Sequence, residues 1–267
     1  LKDKQGKKRM ITQFENTDFV IGDTTIKDRL QRNPPVKYKA PKYYLNNRQI
    51  FINYINSIFE PYKQQLAKET DNVSCDDRTS GDFSLMTHQR VVLDYMNLYT
   101  PYRGVLLYHG LGSGKTCSSI AIAEGLKDNK QIIVMTPASL QKNYYEELKK
   151  CGDILYKKNQ YWEQIQATSE NVEALSFMLN LSIEDILKKK TVWVANIKKP
   201  ANYSSLNADQ KSSLDLQLDL MIRAKYKFIS YNGLRKKKLD EMQNTESGKI
   251  NPFNNSVVII DEAHNLV

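Results

Sequence analysis

Apolar positions along the chain fall into two kinds of run. Short, nearly unbroken stretches occur at 105–108 (VLLY), 131–136 (QIIVMT), 191–195 (TVWVA), 227–231 (KFISY) and 257–260 (VVII). Runs of this length, rich in β-branched residues, predict buried strands. Between them, apolar residues recur at spacings of three and four. Residues 48–68 place Phe51, Tyr54, Ile55, Ile58, Phe59 and Tyr62 on one face, with Pro61 predicted to break or kink the helix. Residues 83–99 do the same with Val91, Val92, Tyr95, Met96 and Leu98, with Thr87 placed as a cap. Helices are predicted at 118–126, 140–150 and 209–225, the last with Leu214, Leu218, Met221 and Ile222 on its inner face. Strands alternating with helices predict an α/β fold with a central parallel sheet. The uninterrupted run at 257–260 suits a parallel strand covered on both faces.

The pattern also suggests boundaries. Residues 1–47 read as a basic extended arm, broken by Pro34, Pro35 and Pro41. Residues 48–82 read as a helical element and linker, ending in a polar stretch with Ser80-Gly81. Residues 83–267 hold the α/β domain, with a surface loop at 244–255. The residues from 151 to 226 carry fewer signals. Because the chain opens on Leu1 and closes directly after a motif, it reads as an excerpt of a longer protein.

Charge changes the picture modestly. The net charge is +9 over 267 residues, and the first 50 residues hold 12 basic against 5 acidic side chains. A basic excess fits a polyanionic partner; a solvated basic tail accounts for it equally well. Tyr38, Tyr43 and Tyr44 lie among Lys37, Lys39 and Lys42. Such aromatics can stack on bases or anchor the arm to its own domain. Three scattered cysteines, Cys75, Cys117 and Cys151, supply neither a disulfide frame nor a zinc site, which fits a reducing, intracellular setting. No apolar run reaches the roughly 18 residues of a membrane span, so no membrane association is expected.

Chemistry concentrates at two strand ends. Residues 104–116 read GVLLYHGLGSGKT: a strand, a glycine-rich turn, a lysine and a threonine, then a helix. This is the layout of a phosphate-binding loop. Gly110, Leu111, Gly112, Ser113 and Gly114 would curl so that backbone N–H groups point inward. The following helix adds its positive dipole end. Lys115 supplies a full charge, and Thr116 a hydroxyl for Mg²⁺. The longer pattern GxxxxGK[ST] calls for glycine at position 109, where this chain has His109.

The second strand end is Asp261-Glu262-Ala263-His264-Asn265, after 257–260. Carboxylates at the carboxyl end of a parallel strand lie where the ligand crevice of such a sheet opens. Asp261 is the candidate Mg²⁺ ligand and Glu262 the candidate base for an attacking water. His264 is placed to couple this turn to other parts of the site. An acidic first helical turn is the plainer reading of Asp261-Glu262 by themselves. Gln89, in the first turn of the helix before the loop, could read both N6 and N7 of adenine. Thr136 or Ser139 could cap the helix after the second strand, and present its N–H groups to a nucleic-acid phosphate. Runs at Lys188–Lys190 and Lys198–Lys199 read as solvated faces.

Taken together, GLGSGKT and DEAH resemble the nucleotide-binding half of a superfamily 2 helicase of the DEAH-box type, where the first loop glycine is commonly missing. MTHQ (86–89) is similar to that superfamily's glutamine motif, MTPASLQKNY (135–144) to motif Ia and ISYNGL (229–234) to motif Ib. HQRVVLDY, VLLYHGLGSGKT, SYNGL and IIDEAHN further resemble the family of the poxvirus early transcription factor small subunit and its relatives in other nucleocytoplasmic large DNA viruses. The resemblance runs from about residue 84 to 267. It implies a RecA-like P-loop lobe that uses ATP and Mg²⁺. It further implies ATP-dependent helicase or translocase work on duplex DNA in viral early transcription. Implied partners are DNA, held mainly by its backbone, a transcription-factor subunit and a viral RNA polymerase, in host cytoplasm or virion. Lys142 and Arg235–Lys238 are the expected nucleic-acid contacts. Motif III and the second RecA-like lobe of the family are not in this chain, so the lobe by itself is expected to hydrolyse ATP poorly. A chromatin-remodelling type of translocase, a P-loop kinase and a non-catalytic ATP-binding assembly subunit are the alternatives.

Overall fold

The computed structural model describes residues 20–29, 48–71, 86–97, 104–110, 112–126, 130–231, 234–245 and 248–266. In chain order these form β1 (Val20–Ile21), β2 (Thr24–Thr25), α1 (Ile26–Arg29), α2 (Arg48–Asp71), α3 (Thr87–Asn97) and α4 (Lys115–Leu126). Then come β3 (Gln131–Thr136), α5 (Gln141–Cys151), β4 (Trp162–Gln166), α6 (Val172–Leu179), α7 (Ile183–Lys189) and β5 (Thr191–Ala195). The chain continues with α8 (Ala208–Lys225), β6 (Tyr226–Ser230), α9 (Lys236–Gln243), β7 (Asn244–Thr245), β8 (Gly248–Lys249) and β9 (Ser256–Ile260). They belong to two compact units, one drawn from residues 1–33 and 139–229, the other from 34–138 and 230–267.

The second unit is built on β3 and β9, which pair in parallel with Ile132 opposite Val257 and Met135 opposite Ile260. Ile132, Ile133, Val134 and Met135 are all buried, so β3 is covered on both faces. α4 packs on β9 and on α3. Its middle, Ile120 to Ala123, is buried all round, as expected of a core helix. α3 in turn meets α2, with the Tyr62 hydroxyl donating to the Asp94 carboxylate.

Three expectations about this unit need correction. α2 runs unbroken through Pro61; the proline removes one intrahelical donor, and the helix continues past it. Residues 104–110 carry no regular structure. Leu106 and Tyr108 are 80% and 93% exposed, where a buried strand is expected. Apolar composition makes a segment competent for a strand, but pairing makes the strand, and no described residue pairs with 104–110. β9 is not covered on both faces either: Val258 and Ile260, which alternation places on one side, are partly exposed among the described residues.

In the first unit, β4 and β5 form an antiparallel pair, with Trp162 opposite Ala195 and Gln164 opposite Trp193. The strand expected at 191–195 therefore forms, but in an antiparallel pair and not in a central parallel sheet. Each of the pair's outer edges is capped by a side-chain amide. Asn202 donates to Trp162 O at 2.9 Å and accepts from Trp162 N at 2.8 Å. Gln217, buried on α8, does the same for Trp193 at 2.8 and 2.9 Å. Such bonds satisfy edge groups that would otherwise be open. α8 begins with a full capping box between Asn207 and Gln210 and buries Leu214, Leu218, Met221 and Ile222, the face that periodicity assigns. Tyr145 stacks on Phe228 of β6 with centroids 4.4 Å apart.

Inside the expected arm, residues 20–29 make the β1–β2 hairpin and α1, held on this unit by Arg29. That side chain is fully buried. It donates to the Glu163 carboxylate of β4 and to Ile21 O. Lys199 lies 3.4 Å from Asp23 and 3.8 Å from Glu163. α5 is preceded by Leu140 with no side-chain cap, so the cap expected of Ser139 or Thr136 does not form; the Thr136 hydroxyl meets Pro137 O instead, at 3.5 Å. The loop expected at 244–255 contains the short β7–β8 hairpin. Tyr38, Tyr43, Tyr44 and Leu111 lie outside the described residues.

Candidate functional site

The glycine-rich turn sits where two helices converge. Gly112 and Gly114 adopt φ of +75° and +72°, a left-handed backbone that glycine reaches without strain. α4 begins directly after, at Lys115, so its first N–H groups open at the turn. The Lys115 ammonium donates to His109 O at 3.1 Å and Gly110 O at 3.0 Å. The Ser113 hydroxyl donates to Gly110 O at 2.8 Å. Lys115 thus lies over its own loop, with its charge on the side where the helix N-terminus opens. Thr116 sits in the first turn of α4, half-buried, and its carbonyl accepts from Ser119 Oγ at 2.7 Å.

Gln89 is 2% exposed. Its Oε1 accepts from Met86 N at 3.0 Å, the reciprocal half of a capping box on α3. Its Nε2 donates to Gly114 O at 3.2 Å and lies 3.4 Å from Ser113 O. A Cβ built on Gly114 would come within 2.4 Å of that nitrogen. Gln89 is thus placed against the loop's backbone. Beside it, His88 Nε2 lies 3.0 Å from Ser113 O. Its ring meets that of His109 edge-on, with centroids 5.4 Å apart. Among the described residues, the buried His109 Nδ1 has no hydrogen-bond partner. The sequence reading missed His88; its signal was adjacency to Gln89 in the first turn of α3.

The acidic turn follows β9. Asp261 N donates to Met135 O at 2.9 Å, continuing the β3–β9 ladder by one bond. Burial raises the Asp261 carboxyl above the usual carboxylate range. The neighbouring Glu262 charge adds to this, while a backbone hydrogen bond and the Lys115 charge pull it down. The Lys115 charge thus acts on Asp261, and α4, which begins at Lys115, packs on β9, which ends at this turn. Glu262 has φ of +52°, an unusual backbone for a residue with a side chain. It is exposed, and His264 Nδ1 lies 3.3 Å from its Oε2. His264, also exposed, thus contacts Glu262 within its own turn. The Tyr231 hydroxyl donates to Asp261 O. Burial, with the Asp261 and Glu262 charges, pushes that phenol above its ordinary pKa. Tyr231 was a missed neighbour, legible only as the residue closing the strand before Asn232.

The donor set fits a metal-bound polyphosphate. Gly112 and Gly114, with positive φ, shape a turn suited to an anion nest, a helix N-terminus opens on it, and the Lys115 charge acts on the half-buried Asp261 carboxylate. Arg235 to Lys238, at the start of α9, are exposed, as is Lys142 on α5. A surface depression of about 370 Å³, lined by Lys189, Thr191, Asp209 and Leu216 among others, lies in the first unit and holds none of these residues.

Comparison with known proteins places the same residues in context. The family model described as "Type III restriction enzyme, res subunit" matches residues 82–267. The "Putative ATP-dependent RNA helicase R563" of Acanthamoeba polyphaga mimivirus is 29% identical over 147 residues, covering 55% of this chain and 25% of its own length. The "Putative ATP-dependent RNA helicase L377" of the same virus is 25% identical over 287 residues, covering 94% of this chain and 21% of its own. The "Termination factor NPH-I homolog" of African swine fever virus (isolate Tick/South Africa/Pretoriuskop Pr4/1996) is 29% identical over 118 residues, 39% of this chain and 15% of its own. The chain thus spans a quarter or less of these relatives' length. No solved structure gives a significant match. Among the described residues, no helix is long and apolar enough to cross a membrane.

Proposed function

Because this chain belongs to the type III restriction enzyme res subunit family, with a RecA-like α/β fold, we propose that it is the ATP-binding lobe of a viral helicase or translocase. The observation that carries this reading is the packing of α4, which begins at Lys115, on β9, which ends at the acidic turn, with the Lys115 charge acting on Asp261. Lys115 would leave the carbonyls of His109 and Gly110 for the β- and γ-phosphate oxygens. The N–H groups of the turn and of the first residues of α4 would hold the same phosphates. Thr116 and Asp261 would hold Mg²⁺, which neutralises charge on the transferred phosphoryl group. Glu262 would take the proton of the attacking water, with His264 orienting its carboxylate.

The finer reading is ATP-driven movement on duplex DNA in viral early transcription. Exposed cations at the start of α9 support backbone contacts. Viral relatives named as helicases and as a termination factor homologue support the setting. The test is ATP turnover of the longer protein with duplex DNA, single-stranded DNA and RNA in turn. Duplex DNA should stimulate most, and the stimulation should fall steeply with salt. Stimulation by RNA alone would overturn the DNA assignment, and turnover indifferent to all three would overturn the motor reading.

A further inference from the structure

We propose that His88 is a positioning residue for nucleotide binding, holding the Ser113 carbonyl out of the phosphate nest. A phosphate-binding turn works only if its N–H groups face the anion and its carbonyls face away. In this chain, the carbonyls of Ser113 and Gly114 are both engaged from the first turn of α3. Gln89 Nε2 donates to Gly114 O at 3.2 Å, and His88 Nε2 meets Ser113 O at 3.0 Å. A carbonyl only accepts, so the His88 nitrogen in this contact carries the hydrogen.

The ring is itself steadied. It rests edge-on against His109, at 5.4 Å between centroids, and His109 occupies the position where the longer loop pattern has glycine. The His109 carbonyl accepts from Lys115 at 3.1 Å. One contiguous path therefore runs from α3 through His88 to Ser113, and through the His88–His109 ring pair to the residue under Lys115. Among the described residues, His88 makes its hydrogen bond to Ser113 O and its ring contact to His109, and none to the acidic turn. Its effect falls on the shape of the nest, hence on binding of nucleotide more than on turnover.

This inference rests on the proposed ATP site, and two readouts separate the two. The variants are His88→Phe, which keeps a ring against His109 and loses the donor, and His88→Gln, whose amide nitrogen reaches about as far as Nε2. The first readout is steady-state ATP hydrolysis by the longer protein. His88→Phe should raise KM for ATP about 3- to 10-fold, the scale of one hydrogen bond, with kcat within about two-fold; His88→Gln should restore most of the loss. An unchanged KM in His88→Phe, or equal loss in both variants, would overturn the donor role. The second readout needs no nucleotide: hydrogen exchange in peptides covering 106–120. Exchange should quicken in His88→Phe and not in His88→Gln. Equal exchange in His88→Phe and wild type would overturn the clamp. If wild type turns over no ATP while exchange still responds, the ATP reading fails and the clamp stands.

Discussion

At the scale of single residues, separable jobs gather around one turn. Glu262 stands in a left-handed backbone with its carboxylate partly exposed beside His264. Glu262→Gln in the longer protein should therefore fold and bind ATP while losing about 10²–10⁴-fold in turnover. Turnover near that of wild type would remove Glu262 from the chemistry. Gly114 makes the opposite case. Its φ of +72° strains any residue with a Cβ, and the Gln89 amide would have to move from Gly114 O to admit one. Gly114→Ala should lose at least tenfold in ATP affinity, about 1.4 kcal/mol or more, with the rest of the domain intact by circular dichroism; unchanged affinity would mean that the turn can reshape freely. Of the proposed site, the glycines, Lys115, Asp261 and Glu262 stand out as candidates in the sequence because their spacing is local. His88 and Tyr231 were not, since each acts on a backbone carbonyl more than 20 residues away, and a hydrogen bond to main chain leaves no mark on its partner's identity.

At the scale of elements, periodicity located α2, α3, α4, α5 and α8 but not α6, α7 or α9, and read the sheet less well. α8 buries the face that its spacing assigns, and β3 is covered as its composition implies. Residues 104–110 and β9 behave differently, since burial of a strand depends on what lies beside it and on its free face. β4 went unread: Glu163, Gln164 and Gln166 give WEQIQ no apolar alternation, and only pairing with β5 makes it a strand. The β1–β2 hairpin was hidden within a basic stretch because its anchor is a buried cation, and charge in sequence reads as exposure. Arg29 supplies that anchor. Arg29→Met should cost about 1–3 kcal/mol of local stability, as expected when a buried carbonyl, here Ile21 O, loses its donor. Hydrogen exchange in residues 20–25 should rise accordingly; exchange at the wild-type rate would show that Arg29 is not the clasp.

At the scale of the whole molecule, each unit has its own stabilising logic. The first relies on ion pairs around α5 and α8. Burial raises the Glu146 carboxyl, but hydrogen bonds from Lys158 and Lys149 and their charges outweigh it, so the group lies below its ordinary value of 4.5. A depressed carboxyl contributes stability above pH 4.5, and that contribution is lost as pH falls through the lower folded value. Glu146 is partly exposed, so the contribution is about 1 kcal/mol or less after solvent screening. Thermal unfolding of Glu146→Gln should accordingly change less between pH 6 and pH 3 than that of wild type; identical pH profiles would contradict the pairing. The second unit carries the proposed nucleotide site, which depends on Lys115 and Asp261 acting on one bound molecule. A double-mutant cycle on Mg²⁺–ATP affinity, using Lys115→Ala, Asp261→Asn and the pair, measures this directly. The account predicts non-additive losses, with a coupling of about 1 kcal/mol or more. Strictly additive losses, or affinity untouched by Lys115→Ala, would contradict it.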